Sequence, residues 1–148
     1  MANELLTLLI VDDDEAHREL IRLNLRRAGV TNSMLMFENG QAALDYLLGP
    51  KGKDAGQLLV LLDIRMPGID GVEVLRRIKA DPELRTIPVI MLTTTDDPRE
   101  IEHCYELGCN VYVTKPVSVE RFIEALRRLG LFISVVSLPA AGPLEVGA

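Results

Sequence analysis

Apolar residues fall into two alternating patterns along this chain. Short unbroken runs lie at 5–11 (LLTLLIV), 33–37 (SMLMF), 58–62 (LLVLL), 87–92 (IPVIML) and 110–113 (NVYV). Runs of that length, bounded by polar or turn residues, predict strands buried on both faces. Between them the apolar positions recur with the period of an amphipathic helix. AHRELIRLNLRRAG sets Ile21, Asn24, Leu25 and Ala28 at that spacing and meets a stop signal at Gly29. GQAALDYLL predicts a second helix ending before Gly49-Pro50, and KGKDAGQ (51–57) reads as a polar loop. Asp70 and Glu73 have capping-box spacing ahead of VEVLRRIKA, which Asp81-Pro82 ends. Asp97 followed by Pro98 opens REIEHCYELG, which runs to another glycine stop. SVERFIEALRRLG is the last helix, with Val119, Phe122, Ile123 and Leu126 on one face.

Strands alternating with helices in this way predict an α/β fold, a parallel sheet covered on both faces. Right-handed crossovers leave few topologies for it. Ligands of such sheets bind beyond the carboxyl ends of the strands. Those ends carry reactive side chains here. The first strand ends in Asp12, Asp13 and Asp14, and the third in Asp63. The fourth ends in Thr93, followed by Thr94 and Thr95, and the fifth runs into Lys115-Pro116. All lie on one edge of a parallel sheet and therefore face one cleft.

Carboxylates crowded together repel, and a hard divalent cation relieves the repulsion. Magnesium, an oxygen-seeking ion commonly bound by one or two carboxylates, waters and phosphate, fits the set. With the ion in place Asp63 stays ionised and can attack phosphorus, giving an aspartyl phosphate. Charge developing on the phosphoryl oxygens would be met by the ion, Lys115 and the Thr93 hydroxyl.

Composition narrows the alternatives. The 148 residues fit one domain, and 48% apolar with 26% charged residues is an ordinary globular balance. A net charge of -6 argues against non-specific binding of nucleic acid or anionic membrane as the main role. Cys104 and Cys109 have neither C-x-x-C spacing nor a second pair, so they read as plain thiols of a reducing compartment. The first residues lack a basic signal-peptide region, and no apolar run approaches the ~20 residues needed to span a bilayer. A soluble cytoplasmic protein is expected.

Four separated stretches, LLIVDDDEAHREL, LLVLLDIRMPGIDGVEVLRRIK, IPVIMLTTTDD and NVYVTKPVS, resemble the receiver domain of two-component response regulators in order, spacing and strand context. The resemblance spans roughly residues 5–130. It implies a flavodoxin-like, doubly wound five-stranded parallel sheet of order 2-1-3-4-5 in a single domain. It implies that Asp63 accepts phosphate from the phosphohistidine of a partner kinase. Asp13 would then hold magnesium directly and Asp12 through water, with Asp63 and the Arg65 carbonyl completing the protein ligands. Lys115 would pair with the phosphoryl group and precede a cis proline. Thr93 and Tyr112 match the switch pair, while Arg65 and Thr95 match positions facing the attacking water. Thr94 stands where the family often has a smaller residue, which tightens access. Asp14 is expected as a helix N-cap, Glu15 as first-turn charge complementing the helix dipole, and His17 and His103 on solvated helix faces.

After residue 130 no length remains for a DNA-binding output domain, so a stand-alone receiver (1–130) acting through protein contacts is expected. The segment 131–148 opens with Phe132, Ile133, Val135, Val136 and Leu138, apolar surface that must be covered. A dimer arm exchanged between two copies, or packing on its own domain, would cover it. The tail, the YLLGPKGKDAG loop and IPVIMLTTTDD are similar to small response regulators paired with bacterial phytochromes, which implies a light-sensing kinase as partner. Three other functions compete. A phosphorelay intermediate would pass the group to a histidine phosphotransfer protein. A phosphohydrolase would place a general acid where Arg65 stands. A phosphate-independent interaction module would keep three uncompensated aspartates to no purpose.

Overall fold

The computed structural model describes residues 6–116 and 118–128. In chain order the elements are β1 (Thr7–Val11), α1 (Glu15–Arg27), β2 (Met34–Phe37), α2 (Gly40–Leu48), α3 (Pro50–Lys53), β3 (Leu58–Leu62), α4 (Gly71–Ala80), β4 (Val89–Thr93), α5 (Pro98–Leu107), β5 (Val111–Thr114) and α6 (Val119–Arg128). The strands form one sheet of order β2-β1-β3-β4-β5, and every pairing is parallel.

Strand chemistry follows position in the sheet. Every residue of β3 and β4 is buried, because helices cover both faces of central strands. β5, at an edge, alternates buried and half-buried residues. Side chains on the central strands divide by parity. Leu9, Val11, Val60, Leu62 and Met91 enter a core with Leu44, Leu47, Leu75 and Ile78 of α2 and α4. Leu8, Ile10, Leu59, Leu61 and Leu92 enter a second core with Ile21 and Leu25 of α1 and Phe122 of α6.

The helix ends are set by local chemistry. Asp14 caps α1, its carboxylate accepting from the backbone N–H groups of Ala16 and His17. Asp70 caps α4 through the Glu73 N–H, and Asp97 caps α5 ahead of Pro98. Gly108 closes α5 at φ 110°, a conformation costly for residues bearing a Cβ.

Two expectations need correction. The stretch after Gly49 is not wholly loop, because Pro50–Lys53 makes one helical turn, α3. Pro50 suits the first position of that turn, and Gly52 lets it close on α2: a Cβ there would stand 2.2 Å from the Tyr46 carbonyl oxygen. The turn depends on that tertiary approach, which has no period to read in the sequence. The apolar face of α6 is also narrower than expected. Phe122 and Ala125 are buried and Ile123 packs beside them, but Val119 is 37% exposed at the helix start. The Leu126 side chain and the apolar segment from Phe132 to Leu138 lie outside the described residues.

Candidate functional site

Register brings the reactive strand ends level. Val11, the last residue of β1, pairs with Leu62, the last of β3, so Asp12 and Asp63 leave the sheet side by side. The Asp12 N–H donates to the Phe37 carbonyl at 3.1 Å, the Asp63 N–H to the Val11 carbonyl at 3.0 Å, and the Lys115 N–H to the Thr93 carbonyl at 2.8 Å. Main-chain carbonyls of three strands, β2, β1 and β4, thereby fix where these side chains begin.

Asp12 is 1% exposed and Asp63 is 8% exposed, while Asp13 stands in solvent. One Asp12 oxygen accepts from the Asp14 N–H at 2.9 Å, and one Asp63 oxygen from the Ile64 N–H at 2.8 Å. The other Asp12 oxygen accepts from the Lys115 ammonium at 2.5 Å, and the other Asp63 oxygen lies 3.5 Å from it. Asp12, Asp13 and Asp63 each offer an oxygen, and the three lie within 4.8 Å of one another. Asp12 and Asp63 share one ammonium and Asp13 adds a third carboxylate beside them, so the cluster keeps excess negative charge around two buried acids. A hard divalent cation bound through oxygen suits that donor set.

Thr93 supplies a second mark of an incomplete site. It is fully buried, and its hydroxyl has no hydrogen-bond partner among the described residues. A buried hydroxyl left unpaired costs about 1–3 kcal/mol, and an arriving acceptor oxygen would remove that cost. The glycines after Asp63 explain the loop. Gly68 turns the chain at φ 79°, and the Gly71 N–H returns to donate to the Ile64 carbonyl at 2.8 Å. A Cβ on Gly71 would stand 1.9 Å from the Asp63 carbonyl oxygen. Only glycine allows α4 to start that close to Asp63.

His17 keeps the part-solvated helix face expected of it but also reaches the acid cluster, which helical spacing alone did not indicate. Its side chain is 42% exposed, yet Nδ1 is 3.8 Å from an Asp12 oxygen and 3.1 Å from the Lys115 Nζ. The signal was present: His17 follows the Asp14 cap by three residues, on the first turn rising from the acids. Asp14 itself is a cap, and the His17 backbone N–H holds its carboxyl below the ordinary value. His103 does lie on an open face, 3.9 Å from Glu106. Beside Lys115, residues including Leu20, Ile21, Thr94 and Pro116 line an apolar cleft of about 200 Å³. The Lys115-Pro116 bond is cis.

A polar chain crosses the other side of the site. Arg65 Nε donates to the Thr95 hydroxyl at 3.3 Å, and its guanidinium lies 3.3 Å from Glu100 on α5. The Tyr112 hydroxyl donates to the Thr95 carbonyl at 2.7 Å, and burial pushes the phenol well above its ordinary value. Burial also raises the Cys104 thiol to about 11 and Cys109 to about 12, so neither is a nucleophile at neutral pH.

The response regulator receiver domain family matches residues 8–127. The chain belongs to that family. A receiver domain from Rhodospirillum rubrum is 46% identical with a TM-score of 0.72, covering 92% of this chain and 99% of its own. The bacteriophytochrome response regulator RtBRR is 36% identical with a TM-score of 0.78, covering 95% of this chain and 87% of its own. Response regulator Rcp1 of Synechocystis sp. is 32% identical over 137 residues, 90% of this chain and 93% of Rcp1. A structure of Mn(2+)-bound Rcp1 aligns with a TM-score of 0.69 at 30% identity, over 90% of this chain and 99% of its own. This receiver therefore has the flavodoxin-like fold of two-component signalling proteins and is related to phytochrome response regulators. Receivers bind Mg2+ or Mn2+ in the acidic pocket, and the aspartate cluster here has the donors for it. Members of the family are in general signalling proteins rather than enzymes.

Proposed function

We propose that this receiver takes a phosphoryl group on Asp63 from the phosphohistidine of a partner sensor kinase. The observation that carries the reading is the convergence of three carboxylates, the Lys115 ammonium and the unpartnered Thr93 hydroxyl on one strand edge. The Asp63 oxygen facing Lys115 attacks phosphorus, an O–P bond forms, the N–P bond to the donor imidazole breaks, and that imidazole leaves with a proton. Asp12, Asp13, Asp63 and the Arg65 carbonyl would hold Mg2+, which when bound offsets the charge of the acids and of the phosphoryl oxygens. Lys115 pairs with the phosphoryl group, and the Thr93 hydroxyl donates to one of its oxygens. Drawing Thr93 toward that oxygen changes the space beside Tyr112, and the pair biases a two-state surface of α5, β5 and α6.

The kinase is of phytochrome type in this reading, which the similarity to the bacteriophytochrome response regulator RtBRR supports. The receiver domain runs over 1–130, and 131–148 form the apolar extension whose Phe132, Ile133, Val135, Val136 and Leu138 serve as a dimer arm. Output passes through protein contacts, with no nucleic acid or membrane involved, which the net charge of -6 supports. Free Cys104 and Cys109 suit a reducing cytoplasm. A phosphohydrolase is disfavoured because Arg65, paired with Glu100, stands where a general acid is needed.

Incubation with acetyl phosphate and Mg2+ tests the reading. Wild type gains the mass of one phosphoryl group and Asp63→Asn gains none, while oligomer size reports any linkage to dimerisation. Labelling that persists in Asp63→Asn overturns it. Transfer onward to a histidine phosphotransfer protein would make the chain a relay intermediate.

A further inference from the structure

Lys115 has three N–H donors and three acceptors within reach. They are an Asp12 oxygen at 2.5 Å, His17 Nδ1 at 3.1 Å and an Asp63 oxygen at 3.5 Å. Its side chain is 9% exposed, so bulk water cannot easily replace a lost partner. Two of the three acceptors are carboxylates that the proposed reaction engages elsewhere, Asp12 with the cation and Asp63 with phosphorus. His17 is the acceptor that stays.

The placement of His17 follows from α1. Asp14 caps the helix and accepts from the His17 backbone N–H at 3.2 Å, which puts the imidazole on the first turn above Asp12. Asp14 also flanks the ring, its second oxygen lying 3.7 Å from Nε2. An ammonium can only donate, so in a hydrogen bond between the two Nδ1 is the acceptor, while Nε2 faces Asp14. Asp12, Asp14 and Lys115 are the charged groups facing this ring among the described residues.

We propose that His17 is a positioning residue: its Nδ1 tethers the Lys115 ammonium at the mouth of the acid cluster, poised for the phosphoryl group on Asp63. A neutral acceptor suits the task better than a carboxylate. It fixes the direction of the ammonium without adding negative charge to compete with phosphate or cation. The inference rests on the reading of Asp63 as phosphoacceptor and adds a residue to that site.

Two variants separate tethering from packing. His17→Asn keeps an acceptor, Oδ1, at the branch position of Nδ1, whereas His17→Leu keeps bulk without an acceptor. In metal-free protein, limited acetylation with acetic anhydride is read by peptide mass spectrometry at Lys115 against exposed Lys51. His17→Leu should raise Lys115 labelling severalfold and His17→Asn should stay near wild type. With acetyl phosphate at saturating Mg2+, His17→Leu should slow phosphorylation by about three- to tenfold, the worth of one hydrogen bond. His17→Asn should recover most of that rate. Two results overturn the tether: both variants matching wild type, or both impaired alike with the acceptor making no difference. If wild type takes no phosphoryl group at all, the reading of Asp63 fails, and the acetylation comparison alone still decides whether His17 holds Lys115.

Discussion

The Tyr112 hydroxyl is bonded to the Thr95 carbonyl, 2.7 Å away, and so ties β5 to the loop that leads from β4 into α5. The same Thr95 accepts from Arg65 through its hydroxyl, and Arg65 reaches on to Glu100. The loop beside Asp63 is thus held from β5 and from the β3–α4 connection together. Removing the phenol oxygen in Tyr112→Phe deletes one hydrogen bond, worth about 0.5–1.5 kcal/mol. Phosphorylation of Asp63 by acetyl phosphate should stay within about twofold of wild type, because Tyr112 touches none of the acids. Amide exchange in residues 94–97 should rise before phosphorylation and change less on it. A wild-type exchange response in Tyr112→Phe would remove Tyr112 from the proposed switch.

Thr93 is a case where a substitution should stabilise the resting protein while disabling it. Its hydroxyl is buried without a partner among the described residues, so Thr93→Val removes a desolvation cost at almost constant shape. The denaturation midpoint should rise, corresponding to about 1 kcal/mol. Thr93→Ala should lack that gain, since it also leaves a void. Both variants should still be phosphorylated yet fail to shift α5. A Thr93→Val protein less stable than wild type would mean that the hydroxyl already has a partner.

Gly71 and Gly29 test two different reasons for glycine. At Gly71 a Cβ would collide with the Asp63 carbonyl oxygen at 1.9 Å, and nothing flexible can yield. Gly71→Ala should therefore cost about 3 kcal/mol or more and displace Asp63, lowering phosphorylation as well as the urea midpoint. Gly29 has open space around it but sits at φ 92°. Gly29→Ala should cost about 1–2 kcal/mol and leave phosphorylation unchanged. A loss at Gly71 no larger than at Gly29, with phosphorylation unchanged, would show that the contact with Asp63 relaxes and does not require glycine.

The strands and the acids were legible because their signals are local. β3 is five buried apolar residues in a row, and Asp63 follows it directly. The caps Asp14, Asp70 and Asp97 were legible for the same reason, a polar residue ahead of a periodic segment. What stayed hidden depends on distant partners. α3 exists because Gly52 fits under the α2 carbonyls, and His17 meets Lys115 across 98 positions of sequence. Val119 has the right chemistry for a buried face, but the α6 contact begins a turn later, at Phe122.

Stability should fall in alkaline solution, and the buried thiols give the window. Burial raises Cys104 from 9.0 to about 11 and Cys109 from 9.0 to about 12. Below 9.0 both states hold the protons, and the contribution is intact. Between 9.0 and about 12 the unfolded chain releases them and the folded chain does not, so the unfolding free energy drops with rising pH. The denaturation midpoint should fall through that range, and less steeply in Cys109→Ala. At neutral pH, iodoacetamide should react with neither thiol until denaturant is added. Rapid labelling of native Cys104 would contradict its burial.

The acid cluster makes stability depend on cations in a way that separates specific binding from screening. Asp12, Asp13 and Asp63 repel one another in the metal-free protein, and Lys115 is the one lysine paired with the cluster among the described residues, through Asp12 and Asp63. Asp63→Asn removes one of those charges and keeps an acceptor for the Ile64 N–H. It should raise the thermal midpoint in low salt. The gain should shrink in high salt only in so far as the partly buried charges are screened. Mg2+ at a hundred times its dissociation constant should stabilise wild type by about 2.7 kcal/mol. Asp13→Asn, exposed and so cheap for the fold, should lose most of that effect. Potassium at matched ionic strength should not reproduce it. If Mg2+ and potassium raise the midpoint equally, the three carboxylates do not act as a metal site.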